Sequence, residues 1–135
     1  MYYDAQRGGL SNKEKVFLNR AKKLAATSEC RIKHGCIIVK GGSVVAVSTN
    51  KYRNNPDSMS DPNADSSYHA EIAALKKVKG GLTGAVAYIA RVNNFGAPRM
   101  SRPCQRCMVA LKEAGVKRVI FTIEHSLNFE TKEEI

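Results

Sequence analysis

Arg102-Pro103-Cys104-Gln105-Arg106-Cys107, taken with His69-Ala70-Glu71 upstream of it, decides how the rest of this chain is read. Two cysteines three apart at the start of a helix lie on one face of its first turn, so both sulfurs can reach one metal ion. His69 can supply a third ligand. An imidazole with two thiolates makes the three-ligand zinc site whose fourth position stays open for water, which marks catalysis rather than bracing. Pro103 is expected in the first turn of a helix running on through Leu111, since its missing N–H would have no intrahelical partner there. The positive end of that helix favours the thiolate form of Cys104 and Cys107. Glu71 would point away from His69 in mid-helix, but at a helix mouth both side chains can turn into one pocket. Glu71, outside the ligand set, is then free to move protons.

The 135 residues suit one domain with a core that needs no staples. With 43% hydrophobic and 25% charged residues the composition is that of an ordinary globular protein. No apolar run is long enough to cross a bilayer, and Met1 to Leu10 carries no apolar h-region, so a cytoplasmic location without a membrane partner is expected. The four cysteines then read as reduced thiols or ligands, not a disulfide frame. Lys plus Arg outnumber Asp plus Glu by 22 to 12, a net charge of +10. That balance favours a phosphate-bearing substrate or a polyanion.

Working outward, Ser11 with Glu14 forms a capping-box signature. Val16, Phe17, Leu18, Ala21, Leu24 and Ala25 follow at helical spacing, so a first helix is expected from about Asn12 to Thr27. Its lysines and arginines read as a solvated face. Cys36 to Lys40 and Ser43 to Ser48 flank Gly41-Gly42 and read as a β-hairpin, with Asn50 at the end of its second strand. Lys51 to Ser67 has no apolar period and reads as a long loop. His69 opens a second helix, with Ile72, Ala73, Leu75 and Val78 inward, stopped by Gly80-Gly81. A third strand over Ala85 to Ala90, a loop over Val92 to Arg102, a helix from Cys104 to Ala114 and a fourth strand over Arg118 to Ile123 complete the order. Alternation of strands and helices implies parallel crossovers. The expected fold is α/β in three layers: a mixed sheet of four or five strands with an antiparallel hairpin, and helices on both faces. Glu124 to Ile135 reads as a short acidic tail, at most a frayed helix.

The two motifs, each at the start of a helix with a strand between, resemble the zinc-dependent cytidine deaminase superfamily, whose signature is H-x-E followed by P-C-x-x-C. The order of elements from Ser11 to Ile123 resembles that family as well, nearest to its deoxycytidylate deaminase and tRNA adenosine deaminase branch. The resemblance implies a deaminase domain over 11–123, a flexible lead-in over 1–10 and a C-terminal tail over 124–135. It implies zinc on His69, Cys104 and Cys107, and hydrolytic deamination in which Glu71 carries protons between an activated water, the ring nitrogen and the departing ammonia. By the same resemblance Asn50 contacts the substrate's sugar, and Ala70 is a substrate contact within its motif. Arg102 and the Gln105-Arg106 pair depart from a typical free-nucleotide deaminase. The twelve residues after the fourth strand leave little room for a fifth strand and a last helix.

Rival readings of the cysteines are a thioredoxin-like redox pair at Cys104 and Cys107, and a structural zinc module that adds Cys30 and Cys36 to that pair. The first leaves His69-Ala70-Glu71 without a role. The second uses a cysteine in an apolar strand, where it is ordinarily a small hydrophobe. His34 and His125 read as structural. Lys51, Arg53, Arg91, Arg99 and Arg102 flank the expected pocket beside Tyr52, Tyr68 and Phe95. Of these, Lys51, Arg53, Phe95 and Arg102 join Asn50 and Ala70 as candidate substrate contacts. One cationic corner suffices for a nucleotide's phosphate, whereas single-stranded DNA or RNA needs a basic track with stacking surfaces. A cytosine nucleotide is the first choice, a base within single-stranded nucleic acid the alternative, and a homo-oligomer stays open.

Overall fold

Period-two alternation sorts the apolar residues of three strands onto two faces of one sheet. Along β1 (Lys33–Lys40), Ile37 and Val39 join one core cluster while Cys36 and Ile38 join the other. β5 (Val86–Val92) divides in the same way, with Tyr88, Ala90 and Val92 on one side and Ala87 and Ile89 opposite. β7 (Arg118–Thr122) gives Ile120 to the first side, and Val119 and Phe121 to the second. A strand apolar on both faces needs cover on both, which is why the three helices among the described residues divide between two layers.

The computed structural model describes residues 10–52, 67–78, 80–123 and 130–135. α1 (Asn12–Ala25) covers one face with Phe17, Leu18, Ala21 and Ala25. The expected capping box is present, Ser11 Oγ accepting from Glu14 N at 3.1 Å and Glu14 Oε1 from Ser11 N at 2.8 Å. Val16, counted as inward from the sequence, is exposed instead. Phe17 meets Tyr88 at 5.3 Å between ring centres, a contact worth about 0.5–1.5 kcal/mol beyond its buried area. Gly35 lets α1 lie directly on β1: a Cβ there would fall 2.7 Å from Ala25 N and 2.8 Å from Ala21 O.

The sheet order is β2-β1-β5-β7-β8, with β2 over Ser43–Thr49 and β8 over Glu130–Glu134. β1 is antiparallel to both β2 and β5, so β2 and β5 run the same way on either side of it. α2 (Ala70–Lys77) is carried by that crossover, and α3 (Gln105–Ala114) by the parallel step from β5 to β7. The hairpin turn falls at Gly41 and Gly42, whose φ values of 60° and 80° only glycine adopts readily.

Four expectations are corrected. The C-terminal tail is not a frayed helix but contains β8, an antiparallel edge strand registered from Glu134 opposite Arg118 to Glu130 opposite Thr122. It is held by ion pairs more than by apolar cover: Glu133 meets Arg102, and Glu134 meets Arg118, which also holds Glu14 of α1. The expected loop from Val92 to Arg102 contains β6 (Pro98–Arg99), which pairs with an extended β5. α2 buries Ala70, Glu71 and Ala74, while Ile72, Ala73, Leu75 and Val78 are only partly covered, because its small alanines let it approach the sheet closely. Pro103 lies outside the helix, with Cys104 as the N-cap after it. Of the long loop, residues 53–66 lie outside the described residues; its ends form a two-residue ladder of β3 (Lys51–Tyr52) and β4 (Ser67–Tyr68). No helix among the described residues is long and apolar enough to cross a membrane.

Candidate metal centre

Both motifs place their first candidate ligand at a helix N-cap. His69 caps α2 and Cys104 caps α3, each with extended backbone and neither using its side chain to cap. The N-cap side chain therefore turns outward from the helix start, and a residue in the following turn shares its side. Cys107 lies in the first turn behind Cys104, and Glu71 in the first turn behind His69. The two helix starts face one another, so that the ligand atoms of His69, Cys104 and Cys107 lie within 4.8 Å of each other.

His69 Nδ1 is 3.3 Å from Cys107 Sγ and 3.9 Å from Cys104 Sγ. Tetrahedral zinc with bonds of 2.0–2.1 Å to nitrogen and 2.3 Å to sulfur sets such atoms about 3.6 Å apart, a value the two distances straddle. The charges fit as well. Burial, and then the nearby Glu71 charge, push the Cys107 thiol well above its ordinary pKa. Burial also raises Glu71, ahead of the opposing effects of its own backbone hydrogen bond, of His69 and of a hydrogen bond with Cys107. The Cys107 thiol and the buried Glu71 carboxyl group resist ionising together, and a divalent cation removes that resistance. The residues therefore fit zinc.

Cys30 and Cys36 do not join this group. Cys30 is buried, its Sγ 3.6 Å from the Asn50 carbonyl. Cys36 is fully buried in the core, where burial and then Glu71 raise its pKa. Cys104 and Cys107 group with His69 and not with Cys30 and Cys36, which leaves the four-thiolate module without support and gives His69 a place that the redox pair does not use.

A cavity of about 250 Å³ opens beside the three ligands, lined by His34, His69, Glu71, Arg91, Met100, Ser101, Arg102 and Cys104. Its wall is fixed by a buried polar knot. Ser101 Oγ donates to Ile89 O at 2.9 Å and accepts from Thr122 N at 2.9 Å, and Thr122 Oγ1 donates to Arg99 O at 2.6 Å. These bonds satisfy backbone groups where β5 and β7 diverge, and hold the approach to Cys104 in place.

Of the candidate substrate contacts, Arg102 alone is found in the cavity wall, and its guanidinium is forked onto Glu133 at 2.8 Å through both Nε and Nη2. Asn50 is buried away from the lining. Its Oδ1 accepts from Ser28 Oγ at 2.7 Å and from His34 N at 2.9 Å, and its Nδ2 donates to Ile32 O at 2.6 Å. The amide braces the turn into β1, which is a sufficient reason for its burial. Ala70 is fully buried. Lys51 is exposed on β3 opposite Tyr68, Phe95 is 94% exposed, and Arg53 lies outside the described residues. His34, read as structural from the sequence, lines the cavity instead. The signal was its place two residues before Cys36, on the same face of β1.

The family described as the cytidine and deoxycytidylate deaminase zinc-binding region matches residues 11–123. No curated protein matches the chain. Among solved structures, the dCMP deaminase of cyanophage S-TIM5 in apo form is 24% identical over 84% of this chain and 86% of that chain, with a TM-score of 0.63. The same phage enzyme in complex with dCMP and dUMP is 22% identical over 88% of each chain, with a TM-score of 0.61. Cytidine deaminase from Mycobacterium tuberculosis is 19% identical over 87% of this chain and 85% of that chain, with a TM-score of 0.51. At these identities the likeness is one of fold.

Proposed function

The chain belongs to the cytidine and deoxycytidylate deaminase family, and from that premise we propose that it is a cytoplasmic deoxycytidylate deaminase-like hydrolase, removing the exocyclic amino group of cytosine in a nucleotide. The observation that carries this reading is the meeting of His69, Cys104 and Cys107 beside the buried Glu71 on one small cavity.

His69, Cys104 and Cys107 hold zinc in this reading, and zinc when bound supplies a water molecule acidic enough to react at neutral pH. Glu71 is the proton carrier. It accepts a proton from the water and passes protons to the ring nitrogen and to the amine that departs as ammonia. Burial moves its pKa up from the usual carboxylate value, toward the range in which one group can both take and give a proton. The Ser101–Thr122 knot keeps the Cys104 helix start at a fixed distance from the sheet, so the base has a rigid wall against which to orient.

A nucleotide is favoured over a bare base by the cationic groups on the cavity wall and the net charge of +10. The phage relative captured with dCMP and dUMP supports the same choice. One observation favours a second reading, a base within single-stranded DNA or RNA: Phe95 is 94% exposed on the turn between β5 and β6, where it could stack on a neighbouring base. Ammonia release from a panel of nucleosides, nucleotides and oligonucleotides, with zinc measured on the same sample, tests both. The expected result is turnover of cytosine mononucleotides. Turnover of oligonucleotides alone, with binding that weakens steeply as salt rises, would overturn it in favour of the second.

A further inference from the structure

We infer that Arg91, flanked on its own face of the sheet by His34 and Arg99, anchors the substrate's phosphate and makes the cavity selective for a phosphorylated nucleotide over the bare nucleoside. The inference rests on the deaminase reading above. Strand pairing sets His34 directly opposite Arg91 on one side and Arg99 directly opposite it on the other. Residues opposite each other on neighbouring strands share a face, so His34 and the two arginines form a row across β1, β5 and β6. Like charges in such a row repel, and a phosphate facing it turns that repulsion into attraction.

Arg91 and His34 line the same cavity as His69, Glu71 and Cys104. The Arg91 backbone is pinned, its N–H donating to Thr122 Oγ1 at 3.1 Å. Its half-buried guanidinium has no hydrogen bond or ion pair among the described residues. Arg102 differs, since two donors of its fork already close on Glu133. A guanidinium fork matches phosphate oxygens in pairs, and on this wall Arg91 is the one with that fork uncommitted. Arg91 and Glu71 line one cavity, so a nucleotide whose phosphate lies on Arg91 can present its base to Glu71.

The test uses the zinc-loaded full chain as wild type, Arg91→Gln and Arg91→Lys, with folding checked by melting and metal content. kcat and KM are measured for dCMP and for deoxycytidine. In Arg91→Gln the ratio of kcat/KM for dCMP to that for deoxycytidine is expected to fall about ten- to a hundredfold, mainly through KM, as befits a lost charge-assisted pair. Arg91→Lys should recover part of the loss, because the charge remains and the fork does not. An unchanged ratio, or equal losses on both substrates, would overturn the inference. Should the wild type deaminate neither, the deaminase reading has failed, and binding of dUMP against deoxyuridine by calorimetry decides the anchor by itself. A preference for dUMP that vanishes in Arg91→Gln supports it, and equal affinities, in the wild type or across the variants, overturn it.

Discussion

On one face of the sheet, α1 lies along β1, β5 and β7 and closes over Ile37, Tyr88, Val92 and Ile120. On the other, α2 and α3 close over Cys36, Ile38, Ala87, Ile89 and Phe121. The next inward positions along β1 and β5 are His34 and Arg91, and there the cover gives way to the cavity. The same strands thus build a core and a binding wall, and the alternation that buries one set of side chains delivers the other to the site. The difference lies in where the covering helices begin. α1 passes across the strands, whereas α2 and α3 start at the cavity edge and turn their N-caps toward it.

Changes to the helix starts should have the largest effects. Cys107→Ala removes the buried thiolate at the centre of the ligand group, and both zinc content and deamination are expected to drop to background. Full zinc occupancy in that variant would show that the two helix starts do not meet on the metal. Glu71→Ala spares the ligands. It should keep zinc while turnover falls by about 10²–10⁴, the usual contribution of a positioned proton carrier. Substantial remaining turnover would move the proton-carrying role to another group on the wall.

A smaller effect separates the two arginines of the wall. Glu133→Ala breaks the fork on Arg102, a pair whose side chains are 30% and 17% exposed, and should cost about 1 kcal/mol of stability, read as a melting temperature lower by a few degrees. Because that pair ties β8 to the sequence just before Cys104, the variant should melt earlier with little change in the preference for dCMP over deoxycytidine. A marked rise in that preference would mean that the released Arg102 competes for phosphate, and the distinction between the arginines would collapse.

The chemistry of the site was legible in the sequence because it is local. His69-Ala70-Glu71 and Pro103-Cys104-Gln105-Arg106-Cys107 each fit within one helix start, and their convergence needs only the crossovers that the element order dictates. The fold class was legible for the same reason, from the alternation along Cys36–Lys40 and Arg118–Ile123. The binding wall was harder to see because it depends on pairing between distant segments. β5 continues two residues past Ala90, where the apolar run of the sequence stops, and this makes Arg91 an inward strand residue. β8 has no apolar period at all. Its register is supported by Glu133 and Glu134 pointing to opposite faces, toward Arg102 and Arg118, and no pattern within Glu130–Glu134 reveals partners so far away in sequence. Asn50 illustrates the same. The family resemblance implies a sugar contact for it, while its hydrogen bonds to Ser28, His34 and Ile32 come from segments whose approach no local pattern reveals.

The smallest expected effect belongs to the closed face and tests whether it is as sealed as the packing implies. Tyr88 is 4% exposed beneath α1. Burial first, and then the nearby Glu14 charge, push its pKa from 10.0 to about 12, against a smaller opposing effect of Arg118. The folded protein therefore keeps this proton at a pH where the unfolded chain has lost it. Unfolding then releases a proton, and stability attributable to Tyr88 declines as pH rises from about 10 through 12 and is fully present below 10. Tyr88→Phe has no such proton to lose. The melting temperatures of wild type and variant should differ little at neutral pH, and the wild type should fall progressively below the variant across that alkaline window. A phenol titrating near 10 in the folded protein, or parallel melting curves throughout the window, would mean that water reaches the ring under α1, and the contrast between a sealed face and an open one would fail.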